Sequence, residues 1–190
     1  EDRESVALRA VVRSEVEAHQ DFAAQQGIDI VLTEETPNAL DPITLGRPSS
    51  IGTVIANLLT NAIRHSPAGA SVGVGIEVQD EDFYITVTDQ GEGIEPEHQS
   101  RIFERFYRID HARSRVGGGT GLGLSIARHT MRAHGGDITV WSQPGVGSSF
   151  TLVFPIIDKR KKKPKERRRE KRAAEKSQKN TKREKKVRTQ

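Results

Sequence analysis

Three segments with apolar residues at helical spacing, and two pairs of strictly alternating runs joined by turns, predict an α+β fold. The expected architecture is a two-layer α/β sandwich, with a mixed, mostly antiparallel sheet carrying helices on one face. Residues 5–26 place Leu8, Val12, Val16 and Ala23 on one helical face, and Gly27 is a natural stop. Ile28, Ile30 and Leu32 alternate as a strand. A turn-rich stretch with Pro37, Asn38, Asp41 and Pro42 follows. Pro48 suits the first turn of a helix that runs to about His65, with Ile51, Ile55, Leu58, Leu59 and Ala62 as its apolar stripe.

Ser66-Pro67-Ala68-Gly69 ends that helix. Val72/Val74/Ile76/Val78 and Phe83/Ile85/Val87 then read as a β-hairpin turning through acidic residues. Residues 104–120 show no apolar period and end in glycines, as a loop does. A helix is expected from about Gly121 to His134-Gly135-Gly136. A last hairpin pairs Ile138/Val140 with Phe150/Leu152/Phe154 across Pro144-Gly145.

Charge divides the chain. Residues 159–190 hold 18 of the 30 Lys+Arg and four of the 26 Asp+Glu, a local excess of 14 positive charges, which leaves residues 1–158 at −10. An ordered domain over 1–157 and a basic, disordered tail over 158–190 are therefore expected. Residues 1–158 contain no lysine, so mechanisms that need one in the fold are excluded. The absence of cysteine removes disulfides, thiolate metal sites and thiol nucleophiles. No apolar run approaches the ~18–20 residues of a membrane span, and the opening Glu1 suggests a piece of a longer protein.

Four segments carry candidate chemistry. In Asn57-Leu58-Leu59-Thr60-Asn61-Ala62-Ile63-Arg64-His65-Ser66, Asn57, Asn61 and His65 lie one helical turn apart in a row, with Arg64 beside them. Carboxamide oxygens are hard, neutral ligands that suit Mg²⁺ when phosphates and water complete its shell. A solvated helix face is the plainer reading of any single Asn. In Asp89-Gln90-Gly91-Glu92-Gly93-Ile94, Asp89 shares the parity of Phe83, Ile85 and Val87 and so points inward. A carboxylate there needs a partner, and the exocyclic amine of adenine is a suitable donor; alone, the motif reads equally as a strand ending in a turn. Gly91 and Gly93 would let backbone approach a ligand.

Gly117-Gly118-Gly119-Thr120-Gly121-Leu122-Gly123-Leu124-Ser125 feeds glycine-rich backbone into a helix start, an arrangement that attracts phosphate. It is neither a lysine-bearing phosphate loop nor a dinucleotide fingerprint. In Arg101-Ile102-Phe103-Glu104-Arg105-Phe106-Tyr107-Arg108, the two phenylalanines suit either docking of the neighbouring loop, onto this domain or a partner helix, or core packing.

In this order, the four segments resemble the catalytic domain of sensor histidine kinases, within the wider family of DNA gyrase, HSP90 and MutL. The likeness covers about residues 5–156. Residues 57–66 resemble the N box, 89–94 the first glycine box, 102–106 the F box, 117–124 the second glycine box, and Gly145-Val146-Gly147-Ser148-Ser149-Phe150 the closing one. The resemblance implies a Bergerat-type ATP-binding fold that uses ATP and Mg²⁺. Asn61, helped by Asn57, would hold the metal, and Asp89, with Gly91, Gly93 and Ile94, the adenine. His65 stands where an aromatic residue often stacks near the base, and Arg64 where a lysine often approaches the phosphates. Thr120, Gly121, Leu122, Gly123 and Leu124 would line the triphosphate, residues 104–120 would form the lid over ATP, Arg108 would neutralise transferred charge, and Ser148 would face the adenine pocket. The Arg-Ile-Phe-Glu-Arg-Phe-Tyr-Arg run is most similar to the phosphate-sensing branch.

Two departures stand out. Arg47-Pro48 replaces the acidic cap often found before the N-box helix. The phosphoacceptor motif is missing, and His19, followed by Gln20-Asp21, reads as a packing residue. Asn57 stands where the ATP-hydrolysing relatives resemble one another in carrying a glutamate base. The implied function is transfer of the γ-phosphate to a histidine on dimerisation helices outside this chain. The implied partners are those helices, a second copy in a homodimer and a cognate response regulator, in the cytoplasmic part of a membrane sensor. An ATP-hydrolysing relative and a non-catalytic nucleotide-binding module are the alternatives. The tail has the charge to meet an anionic membrane surface; with no aromatic residue to stack bases, nucleic acid suits it less.

Overall fold

The computed structural model describes residues 3–35, 41–109 and 120–157. In chain order the elements are β1 (Glu4–Ala7), α1 (Leu8–Gln25), β2 (Asp29–Glu34), β3 (Ile43–Gly46), α2 (Pro48–His65), β4 (Ser71–Gln79), β5 (Asp82–Thr88) and α3 (Pro96–Gln99). A 3-10 turn, Arg101–Phe103, precedes α4 (Gly123–Ala133), β6 (Asp137–Gln143) and β7 (Gly147–Pro155). Five strands form one sheet in the order β2-β4-β5-β7-β6, with β2 parallel to β4 and the rest antiparallel. The expected α+β sandwich is present.

Register explains the core. Val74, Val87, Phe150 and Val140 are successive cross-strand partners, and so are Ile76, Ile85, Leu152 and Ile138. Strand parity sends both rows to one face. That face is covered by Leu8, Val12 and Val16 of α1, by Ile51, Ile55, Leu58 and Leu59 of α2, and by Ala127 and Met131 of α4, all buried. The opposite face carries Thr86, Thr88, Thr139, Ser149 and Thr151, as a half-solvated sheet should.

Three local expectations need correction. The helix expected over 5–26 begins only at Leu8, because Glu4–Ala7 pairs as β1 with β3. The oxygen that receives an early helical amide is remote in sequence: Arg9 N–H donates to Asp41 Oδ1 at 3.0 Å. The strand β3 and the short turns between Pro96 and Phe103 were not anticipated, since four or fewer residues carry no readable period. The helix expected from Gly121 starts at Gly123, and Gly121 itself holds φ +69°. Gly27, at φ +70°, ends α1 as expected. Residues 110–119, which include Gly117-Gly118-Gly119, and the predicted tail lie outside the described residues.

A partly buried ion pair ties α1 to β2. Arg9, 2% exposed, meets Glu34 Oε2 at 2.9 Å, and the exposed Arg13 reaches the same carboxylate through Nε at 2.7 Å. The hydrogen bond from Arg13 holds the Glu34 carboxyl below its ordinary range. Removing one partner from a buried pair is costly. Glu34→Ala is therefore expected to lower stability by about 1–2 kcal/mol in urea unfolding, less than for a fully buried pair because Arg13 reaches the carboxylate from solvent. A depressed carboxyl pKa contributes stability that is complete above the unfolded value and vanishes as pH falls through the folded one. The difference between wild type and variant should accordingly shrink in acid.

Candidate functional site

The polar residues of α2 follow from its amphipathicity: with one stripe sealed against the sheet, Asn57, Asn61, Arg64 and His65 are left along its edge. Asn57 and Asn61 are half-buried; Arg64 and His65 are exposed. From Asn57 to His65 the helix advances about 12 Å, and each end meets a glycine. A Cβ on Gly123 would lie 3.8 Å from the Asn57 carboxamide. A Cβ on Gly91 would lie 2.5 Å from the His65 carbonyl oxygen and 3.0 Å from Asp89 Oδ1. Gly91 has no room for a side chain. The polar stripe thus bridges the start of α4 and the loop after β5.

Asp89 follows β5 with the inward parity expected of it and is only 7% exposed. Its Oδ1 accepts from Gly91 N–H at 2.9 Å and from Ser148 N–H at 3.1 Å. Burial pushes its carboxyl pKa up, opposed by those two backbone donors and by the nearby His65. A buried acid with both internal bonds on one oxygen is suited to receive an amine on the other.

The loop carrying Asp89 rests on the β6–β7 turn. Asp89 N–H donates to Ser148 O at 2.8 Å, and Gly145 N–H to Glu92 O at 2.7 Å. Gly93 (φ +74°) and Gly147 (φ +130°) sit where an added Cβ would come within 2.2 Å of a carbonyl oxygen, of Gln143 and Asp89 respectively. Ser148 is buried, as its parity implies. Ser142 shares the inward parity of Ile138 and Val140, and sequence reasoning passed over it although the argument used for Asp89 would have found it. Gln99 carried no such signal.

At the other end, α4 opens without a side-chain cap, and a helix leaves its first amides without partners of its own; Leu122, Gly123 and Leu124 there are all half-buried. Thr120 is exposed. Phe106 N–H donates to Gly121 O at 2.9 Å, and Phe106 adopts φ +64° beside the left-handed Gly121. The two phenylalanines separate: Phe103 packs on the core with Arg128 over its ring at 5.2 Å, whereas Phe106 is 67% exposed. Arg108 is half-buried. His19, on α1, has Nδ1 2.7 Å from Glu15 O and Nε2 3.5 Å from Thr60 Oγ1 of α2, consistent with packing. Arg47 precedes α2 without a side-chain cap.

The residue types present fit Mg²⁺. Asn57 and Asn61, one helical turn apart, carry amide oxygens of the kind that suit a hard cation whose other ligands are phosphate and water, and among the described residues no cluster of three His, Cys, Asp or Glu offers a competing site.

Fold and site together define a class: a two-layer α/β sandwich in which a polar helix edge, an inward carboxylate and a glycine-bounded helix start are neighbours. The family described as histidine kinase-, DNA gyrase B-, and HSP90-like ATPase matches residues 46–158, and the chain belongs to it. The sensor-like histidine kinase SenX3 of Mycolicibacterium smegmatis is 42% identical over 154 residues, 81% of this chain and 39% of that protein. The sensor histidine kinase WalK of Bacillus subtilis is 45% identical over 104 residues, 54% of this chain and 17% of WalK. Among solved structures, the mycobacterial sensor histidine kinase MprB aligns with TM-score 0.68 at 29% identity, covering 81% of this chain and 97% of that one. Full-length ShkA in complex with AMPPNP aligns with TM-score 0.69 at 27% identity, covering 81% of this chain and 31% of that one. The chain therefore spans well under half of the SenX3 and WalK proteins it matches.

Proposed function

We propose that this chain is the ATP-binding catalytic domain of a two-component sensor histidine kinase, and that in the whole protein it passes the γ-phosphate of ATP to a histidine on dimerisation helices. The carrying observation is that Asn57, beside Gly123, is an amide. An amide cannot take a proton from water, which disfavours ATP hydrolysis. A neutral imidazole (pKa ~6.5) needs no base, because its attacking nitrogen already holds a lone pair. The N–P bond forms as the bond to the ADP oxygen breaks.

Catalysis is then positioning and charge neutralisation. Asp89, with the Gly91, Gly93 and Ile94 backbone and Ser148, holds the adenine, and His65 lies beside it. Thr120, Leu124 and the amides of residues 121–123 hold the phosphates, approached by Arg64 and Arg108. Asn61 and Asn57 would hold Mg²⁺, which would supply charge neutralisation on the phosphates. The match to SenX3 fits the phosphate-sensing branch suggested by the Arg101–Arg108 run.

Calorimetry with ATP and magnesium, followed by transfer of labelled phosphate to an added acceptor domain, tests the reading. Binding followed by transfer is expected. Rapid ATP turnover by the chain alone would favour an ATPase, and tight binding without transfer a non-catalytic module.

The partners proposed for the whole protein are its acceptor helices, a second copy and a response regulator, at the cytoplasmic side of a membrane. Among the described residues no helix is long and apolar enough to cross one. For the basic residues 158–190 we propose that their charge meets an anionic membrane surface rather than nucleic acid. Removing them should abolish salt-sensitive binding to vesicles containing phosphatidylserine; equal retention of DNA by the whole chain would contradict the preference for lipid.

A further inference from the structure

We infer that Ser142 is a positioning residue for nucleotide selection, acting through the loop that carries Asp89. The inference rests on the reading of Asp89 as the group that meets the adenine amine. Ser142 lies on β6, outside every motif singled out in the sequence, yet its hydroxyl joins three backbone segments. Ile94 N–H donates to Ser142 Oγ at 2.8 Å. Ser142 Oγ donates to Gly147 O at 2.9 Å and lies 2.9 Å from Ser148 Oγ.

A hydroxyl offers one donor and two acceptor sites. Here the donor goes to Gly147, one acceptor site to Ile94 and the other to the Ser148 hydroxyl, so its capacity is used in full. Gln99 completes the clamp: its Nε2 donates to Ile94 O and to Ser142 O, both at 2.9 Å.

The consequence falls on Asp89. The segment from Asp89 to Ile94 is pinned at its first residue by Ser148 and at its last by Ser142 and Gln99. Ser148, whose N–H holds Asp89 Oδ1, is itself held by Ser142. Losing the Ser142 hydroxyl leaves the Ile94 N–H unpaired, with only Gln99 holding that residue, and removes one support of the residue that orients the carboxylate. The aim of Asp89 at an amine loosens, while the phosphate-facing start of α4 is untouched. Ser142 acts on the choice of base and not on the triphosphate.

The test compares ATP with inosine triphosphate, which carries an oxygen where adenine carries its amine. In the whole chain with magnesium, Ser142→Ala should weaken ATP about tenfold, the worth of one well-placed bond of ~1.4 kcal/mol, and leave inosine triphosphate almost unchanged. Ser142→Thr, which keeps the hydroxyl, should restore the ratio. Gln99→Met should shift it in the same direction, and so provides a second reading if Ser142→Ala does not fold. In ligand-free NMR spectra, the Ile94 and Ser148 amide signals should move in Ser142→Ala. Equal weakening of both nucleotides, or an unchanged ratio in both variants, overturns the inference while leaving the pocket intact. A wild-type chain with no preference for ATP removes the adenine role of Asp89 and the inference with it.

Discussion

Asn61→Ala, in a protein that joins this domain to its acceptor helices, is expected to lower phosphoryl transfer at least about 10³-fold, equivalent to ~4 kcal/mol of transition-state stabilisation. Asn61 lies one turn beyond Asn57 on the same half-buried edge of α2, and Asn57 faces the start of α4. Asn61, with Asn57, would hold Mg²⁺, which would supply charge neutralisation for the phosphates. Alanine keeps the helix, because the position is not part of the sealed stripe, and removes the oxygen. Melting temperature should therefore hold while the magnesium dependence of ATP binding disappears. Asn61→Asp, which retains an oxygen ligand, should recover part of the activity. Unchanged transfer by Asn61→Ala would refute the assignment.

Asp89→Asn should separate binding from folding. The amide oxygen can still accept from Gly91 and Ser148 N–H, but the amide nitrogen would present donors where the carboxylate offered an acceptor. Facing an adenine amine, that mismatch should weaken ATP by about 30- to 100-fold, ~2–3 kcal/mol. Stability should move the other way. Burial raises the Asp89 carboxyl pKa, so its favourable contribution to folding is complete below the unfolded value and is lost as pH rises through the folded one. At neutral pH the ionised group is a liability, and Asn should melt at the same temperature or higher. ATP binding, which needs the ionised form, should weaken as pH falls through that raised value, above the range of an ordinary aspartate (~3.9). This acid limb should be absent from Asp89→Asn. A variant that binds ATP like wild type would exclude the adenine role.

Much of this domain could be read from residues alone. The stop at Gly27, the start of α2 at Pro48 and the pairing of Ile138 and Val140 with Leu152 and Phe150 each follow from local conformational preference or strand parity. The inward aim of Asp89 follows from the same parity. The two phenylalanines of the Arg101–Arg108 run did not resolve, because both readings demand an apolar ring; burial of Phe103 and exposure of Phe106 distinguish them. The start of α1 was missed because the receiving oxygen, Asp41 Oδ1, lies 32 residues away.

Periodicity along the chain was enough to establish the sandwich, the apolar faces of its helices and the residue types at its cleft, since side-chain direction repeats with the backbone. Tertiary contact settled the rest: that Asn57 meets Gly123, that the His65 carbonyl closes against Gly91, and that Ser142 and Gln99 clamp the loop beneath Asp89. Those are meetings between distant segments, fixed by packing and hydrogen-bond capacity, and no repeat within one segment encodes them.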